Sequence, residues 1–595
     1  MRRFLLAIAV FLLADPAGSL LPRAEPWIAV KTASFTLFSN AGEGETRRVG
    51  EDLERLRDAL SQLLPGLTLN APSPTWIYIF KSSAALQPYQ RVYQGKLLDA
   101  GGYFLAKEQG NYVAVNIQPK SKANPTAIVY HEYFHYVARN NYGDLPLWLH
   151  EGLAEYYSTF QVSGNEAFVG LPIAEHVLWL QKNPWIPLSQ LFAVDQDSKE
   201  YNESDRRGAF YAESWALTHY LLEGSPERRS QFQELLRRTQ AGTPGRQAFH
   251  EVFGDDPAAL EREAHNYVRS YIFNYTRAPI HPEANVTMAV RPMAWPDVLF
   301  RLGDLLTNLG PEHRAAAEED FRAALAAQPD HGLSLAGLGY LADLAGHPQE
   351  ARPLYEKAAK LAPDDFLVQY RYAQSLLDDP RPDSLRAARA ALNRAVTLRP
   401  DFGEAWARLG YTYQAEETMD DNAVHILETA HRLLPSRMDV AHNLALAYAR
   451  TGHREQAEEL IEHVLAPKAG PNEVLSAREA LLDEDYRRAE ELIDQENVAE
   501  ALPLLERVRD NTRRPERRRT LELRLDEIHK ALDFNNFVAE YNHAVVLANQ
   551  GDVQGAVAIL EPLAETVRDP VQAEQARNLL AKLRPPAKRR AGEKP

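Results

Sequence analysis

The hydrophobic and polar positions in the first half of the chain alternate between strand and helix patterns. Short β-rich runs predict strands at residues 27–38, at Thr75–Phe80 and at Asn111–Ile117. Leucines at helical spacing predict a helix over Glu51–Leu64. The pattern therefore indicates an α+β unit up to about residue 160, followed by mostly helical sequence to about residue 276.

Two further helices are predicted in the middle of this unit. Pro125 stands in the first-turn position of a helix over Thr126–Asn140, where its missing N–H costs nothing. Residues 143–146 then break the chain, and Asp144 is a turn residue in this interpretation. A second helical pattern follows over Trp148–Phe160.

From about residue 297 the pattern changes to helices rich in Ala and Leu with regular breaks. A large–small pair recurs every 34 to 37 residues, at Leu302-Gly303, Leu338-Gly339, Tyr372-Ala373, Leu409-Gly410 and Leu444-Ala445. Each pair is followed by an alanine and, four residues later, a large residue: Ala317 and Phe321, Ala351 and Tyr355, Ala388 and Leu392, Ala423 and Leu427, Ala457 and Ile461. Prolines end the first four units, at Pro329, Pro363, Pro400 and Pro435.

This periodicity resembles the tetratricopeptide repeat, in which small residues let paired helices approach closely. The resemblance implies an all-α solenoid over residues 295–470, with divergent helical repeats over 471–583. An unrelated helical array is the alternative. A repeat groove would offer a binding surface to a protein partner.

Composition and charge exclude several functional classes. The 595-residue chain has a net charge of −16, which argues against nucleic-acid binding. Cysteine is absent, so a metal site must use His, Asp or Glu, and a cysteine nucleophile is excluded.

The N-terminal residues have the pattern of a targeting signal. Arg2 and Arg3 precede the apolar run Phe4–Ala14, and small residues follow. This predicts a signal peptide over residues 1–19 and an exported, periplasmic or extracellular protein with no stable membrane span after cleavage. A retained N-terminal anchor is the alternative. The basic tail, residues 584–595, is predicted to be disordered.

Residues 131–135 read H-E-Y-F-H. On a helix, His131 and His135 lie one above the other and can bind one metal ion, and Glu132 can accept a proton from the attacking water. A catalytic zinc needs a third ligand. The next segment, W-L-H-E-G-L-A-E-Y, offers Glu151, with His150 as the alternative ligand. Paired core histidines and a surface glutamate are the non-metal alternatives.

These two motifs together resemble the gluzincin metallopeptidases of the peptidase-MA-like type. The resemblance implies a gluzincin-like α+β domain over residues 20–279, with His131, His135 and Glu151 as Zn²⁺ ligands and Glu132 as the general base. Glu155 would hydrogen-bond a ligand imidazole. The family's G-x-M-E-N segment, which binds a substrate amino terminus, is missing. In the resemblance, the strand at Asn111–Ile117 is the edge along which an extended substrate binds.

An oxyanion donor is also expected. The segment FYAESWALTHYLL lies about 60 residues after Glu151, where gluzincin aminopeptidases carry a tyrosine that faces the zinc. Tyr211 matches this position, although a packed core tyrosine is almost as good an interpretation. The other candidates are Tyr201, Tyr220 and His219, while His176 and His219 are most simply structural or solvent-facing.

The sequence therefore predicts a secreted zinc peptidase that acts on a peptide or protein and is joined to a repeat scaffold. One alternative is a repeat scaffold whose zinc fold is idle or structural, and another is a zinc hydrolase of a non-peptide amide. Because each repeat packs only on its neighbours, we expect a chain ending near Pro279 to fold and retain zinc.

Overall fold

A computed structural model describes residues 21–69, 73–93, 96–97, 101–117, 125–142, 145–202, 204–254, 257–281, 288–378 and 381–584. The predicted signal peptide and tail fall outside these residues, except for Arg584. The chain divides into two compact units, Met1–Leu444 and Ala445–Pro595. Among the described residues, no helix is long and apolar enough to span a bilayer.

The strands belong to the first unit. They are β1 (Ile28–Lys31), β2 (Thr36–Ser39), β3 (Thr75–Phe80), β4 (Val92–Tyr93), β5 (Lys96–Leu97), β6 (Gly102–Lys107), β7 (Gly110–Asn116), β8 (Gln161–Ser163), β9 (Glu166–Val169), β10 (Thr276–Pro279) and β11 (Ala289–Pro292). Six of them form a mixed sheet in the order β11-β1-β2-β3-β7-β6. The order β10-β9-β8 forms a small sheet, and β4 pairs with β5.

Eleven α-helices precede the last strand in the described residues. They are α1 (Glu43–Leu63), α2 (Ser83–Leu86), α3 (Pro125–Tyr142), α4 (Leu147–Ser158), α5 (Ala174–Lys182), α6 (Leu188–Leu191), α7 (Lys199–Asn202), α8 (Ser204–Glu223), α9 (Pro226–Gln240), α10 (Gly245–Phe253) and α11 (Pro257–Arg269). Of these, α1, α2 and α3 contact the six-stranded sheet. The predicted strands and helices of this region are present, with ends displaced by a few residues. The largest displacement is at α1, which starts at Glu43 instead of Glu51.

The structure corrects the predicted edge of the sheet. The strand predicted at Asn111–Ile117 is β7, which lies inside the sheet between β3 and β6. The edge strand is β6, which the sequence analysis did not predict. Its sequence, GYFLAK, is short and begins with a glycine, so it carries a weak strand signal.

The sheet is buried on both faces. Alternate residues of a strand face opposite sides. On β3, Ile77 and Ile79 join a core with α1 and α3, whereas Trp76 and Tyr78 join a core with residues after the last strand, including Val298. The second core continues into the repeats, so the sheet and the repeats of this unit share one hydrophobic interior.

The described repeats of the first unit are four antiparallel helix pairs followed by a single helix. Their helices are α12 (Trp295–Leu309), α13 (Arg314–Ala327), α14 (Gly332–Leu344), α15 (Pro348–Leu361), α16 (Phe366–Leu377), α17 (Pro382–Leu398), α18 (Gly403–Ala415), α19 (Asp421–Leu433) and α20 (Met438–Arg450), which crosses the boundary between the two units. We call the first helix of each pair an A helix and the second a B helix. The A helices are α12, α14, α16, α18 and α20.

The predicted close approach of paired helices is confirmed. A Cβ at Gly303 would lie 2.8 Å from the Phe321 ring, and one at Gly339 would lie 2.9 Å from the Tyr355 ring. Such distances are shorter than ordinary van der Waals contact, so α12 and α14 need a glycine where Phe321 and Tyr355 pack.

The second unit is all-α in the residues described. Its helices are α21 (Arg454–Leu460), α22 (Ala466–Lys468), α23 (Pro471–Asp494), α24 (Val498–Asn511), α25 (Pro515–Asn549), α26 (Val553–Thr566) and α27 (Pro570–Leu583), with a π-helical turn at Ile461–Leu465. The predicted small residues are buried between paired helices, among them Ala489 and Ala501. An unpredicted feature is the length of α25, whose 35 residues contain no glycine and no proline after Pro515.

The expectation that a chain ending near Pro279 folds alone is not supported by this architecture. Such a chain lacks β11, which pairs with β1, and it lacks the helices that cover Trp76, Tyr78 and Tyr112. These three aromatic side chains would expose roughly 450–750 Å² of surface. The largest apolar patch on a typical soluble monomer is only about 300–600 Å².

We therefore expect a chain that ends at Pro279 to be insoluble or to aggregate, because one face of its sheet is uncovered. A chain that continues to Arg450, the end of α20, is the matched control and should be soluble. Size-exclusion chromatography of both proteins checks this. A monomeric, folded protein ending at Pro279 would contradict the shared core.

Candidate functional site

Two consecutive helices bring the chemically active side chains together. On α3, His131 and His135 are one turn apart, and on α4, Glu151 is almost fully buried, with 2% of its surface exposed. The Nε2 atoms of the two histidines are 3.0 Å apart, and Glu151 Oε2 lies 3.3 Å from each of them. We call these three residues the His–Glu cluster.

The His–Glu cluster has the composition and spacing of a metal site. Ligand atoms bound to zinc at about 2.0–2.2 Å with tetrahedral angles are about 3.3–3.6 Å apart, close to the separations in the cluster. Glu151 Oε2 is buried and has no aligned hydrogen-bond donor in the described part of the chain. A buried carboxylate oxygen without a donor is costly unless a cation compensates it. The residues present therefore fit a zinc ion.

The outer nitrogens of both imidazoles face other polar side chains. His131 Nδ1 lies 3.4 Å from Glu155, whose other oxygen lies 3.3 Å from His176. His135 Nδ1 lies 2.7 Å from His150 Nδ1, and the two ring planes are nearly parallel, with their centroids 4.5 Å apart. Histidines that bind metals commonly donate their second N–H in this way, which fixes the ring orientation. His150 therefore contacts the outer side of His135 and does not replace Glu151 in the cluster.

The electrostatics of the cluster favour an ionised Glu151. Burial opposes ionisation, but the imidazoles of His135 and His131 hold the pKa of Glu151 well below its usual value. Burial would lower the pKa of His131, yet Glu151 and Glu155 raise it to about 9. Burial, reinforced by His135, lowers the pKa of His150 to about 3. His150 is therefore neutral, and its Nδ1 can accept a hydrogen bond from His135 Nδ1–H.

The cluster lies in a cleft of about 960 Å³. Glu132 lines this cleft beside the cluster and is nine-tenths buried. No described residue makes a hydrogen bond or an ion pair with the Glu132 carboxylate. All six residues of β6 also line the cleft, so the edge strand runs along it.

Two of the four candidate oxyanion donors line the cleft. The Tyr211 ring is centred 6.1 Å from the His131 ring, and Tyr201 donates a 3.1 Å hydrogen bond to Glu151 Oε1. Burial and the charge of Glu151 raise the pKa of Tyr211 well above its usual value. The other two candidates lie elsewhere: Tyr220 bonds Glu263, and His219 is buried between Gly170 and Tyr267.

A glycine brings the helix of Tyr211 against the helix of Glu151. A Cβ at Gly152, on α4, would overlap the carbonyl oxygen of Ser214 and the hydroxyl of Thr218, both on α8. Only a residue without a side chain allows this approach. The glycine that follows Glu151 therefore sets the distance between the cluster and Tyr211.

Sequence reasoning missed the edge strand β6, and it did not predict the contacts of two other residues. Tyr201, named as a candidate oxyanion donor, bonds Glu151, and His176, named as structural or solvent-facing, lies beside Glu155. His150 precedes Glu151 in the sequence, and this position indicates that it lies near the cluster. The contact of His150 with His135, however, depends on how α4 packs on α3.

Comparisons with known proteins identify the repeats but not the chemistry. Residues 124–244 match a family described as a protein of unknown function, DUF1570, and residues 440–475 match the tetratricopeptide repeat. The first match spans the cluster, Glu132 and Tyr211, and its description names no activity. No curated protein matches the chain.

The solved structures that are similar to this chain each match only part of it. The crystal structure of MamA protein is 23% identical and covers 29% of this chain and 90% of its own, with a TM-score of 0.25. YrrB, described as a TPR protein with an unusual peptide-binding site, is 20% identical and covers 30% and 90%, with a TM-score of 0.27. Pseudomonas aeruginosa pilF is 21% identical and covers 36% and 93%, with a TM-score of 0.26. The match at residues 440–475 and the helix pairs show a tetratricopeptide-type scaffold, of the kind that serves protein interactions.

Proposed function

We propose that this protein is a zinc-dependent peptidase of the gluzincin type. His131, His135 and Glu151 would hold Zn²⁺, and Glu132 would act as the general base. The observation that carries the proposal is a buried carboxylate facing two imidazoles beside a second carboxylate, Glu132, with no hydrogen-bond or ion-pair partner among the described residues. A structural metal site has no need for that second carboxylate or for an open cleft.

The proposed chemistry divides between the metal and the chain. A bound zinc ion supplies Lewis-acid activation of water and of the scissile carbonyl. Glu132 takes the proton from the attacking water and delivers it to the leaving amine. Glu155 and His150 orient the two imidazoles through contacts with the Nδ1 atoms that face away from the metal position. Histidine ligands of other metal sites are commonly oriented by such hydrogen bonds.

Tyr211 is the proposed oxyanion donor. Its raised pKa keeps the phenol protonated, which a donor requires, and no described residue accepts a hydrogen bond from it. Tyr201 is already bonded to Glu151 Oε1. We assign Tyr201 to holding that carboxylate and Tyr211 to the developing negative charge.

The edge strand β6 is the proposed binding site for the substrate backbone. An edge strand presents unpaired N–H and C=O groups, and an extended peptide can add to them as a further strand. Because β6 borders the same cleft as the cluster, a peptide paired with it would pass the reactive groups. We propose a peptide or an unfolded protein segment as the substrate.

Two other functions are compatible with part of the molecule. A scaffold with an idle zinc fold is favoured by the repeats, and hydrolysis of a non-peptide amide uses the same residues. Cleavage of unfolded casein separates both from the proposal. We also propose that the protein acts outside the cytoplasm, on the basis of the basic and apolar residues 2–14 and the absence of cysteine.

The metal assignment predicts one zinc ion per chain. In Glu151→Ala most of the zinc should be lost, because a catalytic site with three protein ligands then keeps only two. Glu175→Ala, which removes an exposed carboxylate from α5, is the control and should keep its zinc. Metal analysis of the purified proteins checks this, and full zinc occupancy in Glu151→Ala would refute the ligand set.

The base assignment predicts a loss of activity without a loss of metal. Glu132→Gln preserves the shape of the side chain but cannot take a proton, so hydrolysis of casein should fall by several orders of magnitude. Its zinc content should equal that of the wild type. Hydrolysis at the wild-type rate would exclude the proposed mechanism.

The role of Tyr211 predicts an effect on kcat. Removal of one oxyanion donor lowers kcat by about 100- to 1,000-fold, and Tyr211→Phe should do so with unchanged zinc content. Tyr220→Phe is the matched control, because this tyrosine lies on the same helix but bonds Glu263 outside the cleft. Equal kcat values for the two variants would contradict the role of Tyr211 and would mean that another group donates to the oxyanion.

A further inference from the structure

The turn that joins β6 to β7 is hydrogen-bonded to helices of the repeats. Glu108 and Gln109 form this turn, at the end of the strand that borders the cleft. Glu108 accepts hydrogen bonds from Tyr370 and Arg408, each at 2.9 Å. Gln109 accepts a 2.7 Å hydrogen bond from Arg371. Every donor in these contacts belongs to an A helix, either α16 or α18.

Arg371 is itself fixed by the strand and by other repeats. Its guanidinium pairs with Asp304, on α12, at 2.9 Å, and both side chains are at most 1% exposed. Asp304 also accepts a 2.9 Å hydrogen bond from Tyr112, on β7. The guanidinium lies over the Tyr340 ring of α14, 4.5 Å from its centroid. A buried ion pair adds little net stability, but separating its two charges is costly, so this network opposes movement of the turn away from the repeats.

The A-helix face of these repeats is therefore occupied by the chain itself. Along α12, Arg301 lies over the rings of Phe38 and Trp76, and its carbonyl oxygen accepts a hydrogen bond from Tyr78. The sequence predicted that a repeat groove would bind a separate protein. In the first unit, the sheet and its β6–β7 turn lie against the A helices where such a partner would bind.

We propose that α16 and α18 position strand β6 in the cleft by holding the turn at Glu108 and Gln109. Tyr370, Arg371 and Arg408 are then positioning residues of the substrate-binding strand. This role rests on the proposed function, since it concerns the strand along which the peptide would lie. It makes the first repeats a part of the substrate-binding apparatus and not a separate partner-binding platform.

Exposed contacts allow a test that does not disturb the core. Arg371→Met removes a buried charge partner and can unfold the protein, so Glu108→Ala and Arg408→Met are the better variants. The side chains of Glu108 and Arg408 are 45% and 38% exposed. The control is Arg394→Met, which breaks a 2.9 Å ion pair with Asp364 away from the turn.

Amide hydrogen exchange of the full-length protein gives the first readout. Exchange of those β6 amides (Gly102–Lys107) that bond to β7 should rise roughly two- to fivefold in Glu108→Ala and Arg408→Met, because the turn loses partly exposed charged hydrogen bonds. Glu108→Gln keeps an acceptor for Tyr370 and should restore much of the protection. Arg394→Met should match the wild type. The proposal would be overturned if the β6 amides of Glu108→Ala and Arg408→Met exchanged no faster than those of Arg394→Met.

Casein hydrolysis gives the second readout. In Glu108→Ala and Arg408→Met, KM should rise several-fold while kcat stays within about twofold, because binding and not chemistry is disturbed. An equal fall in kcat with unchanged KM would overturn the positioning role. If the wild type cleaves nothing, the proposed function fails, whereas the exchange of β6 still decides whether the repeats hold the strand.

Discussion

The burial of Glu151 is the constraint on which the site depends. A carboxylate with 2% of its surface exposed stays ionised only if positive charge or donors surround it, and here two imidazoles lie 3.3 Å away. Those imidazoles must be oriented, which explains Glu155 and His150 behind them. The helix of Glu151 must also lie close to α8, which explains Gly152. One buried charge thus accounts for four polar residues of α3 and α4: His131, His135, His150 and Glu155.

The second constraint is the shared interior of the sheet and the repeats. Trp76 and Tyr78 face the repeats while Ile77 and Ile79 face α1 and α3, so the sheet has no face left for solvent. A repeat array that covers a sheet differs from one that presents a free groove. The second unit, Ala445–Pro595, has no strand in its described residues and is the part of the chain that remains a scaffold of helices alone.

The local pattern of hydrophobic residues predicted the helices and strands well, but it did not predict the long-range packing of these elements. The strand Thr75–Phe80 and the small–large pairs such as Gly303 with Phe321 follow from periodicity and side-chain size, which are local properties. Likewise, the H-E-Y-F-H spacing brings two histidines together on one helix. The edge position of β6 and the contact of Tyr201 with Glu151 depend on tertiary packing, and no spacing of residues in the sequence predicts them. The contacts that argue against a separable chain ending at Pro279 have the same origin, because Trp76 and Val298 are far apart in the sequence and meet only in the folded chain.

We propose that the His–Glu cluster holds a zinc ion that the protein uses to hydrolyse peptide bonds. The most direct test is hydrolysis of unfolded casein by the purified full-length protein, before and after chelation and then with zinc restored. We expect hydrolysis to stop when the metal is removed and to return at one zinc ion per chain. Hydrolysis that survives complete removal of the metal, or casein that stays intact with one zinc ion bound per chain, would contradict the account.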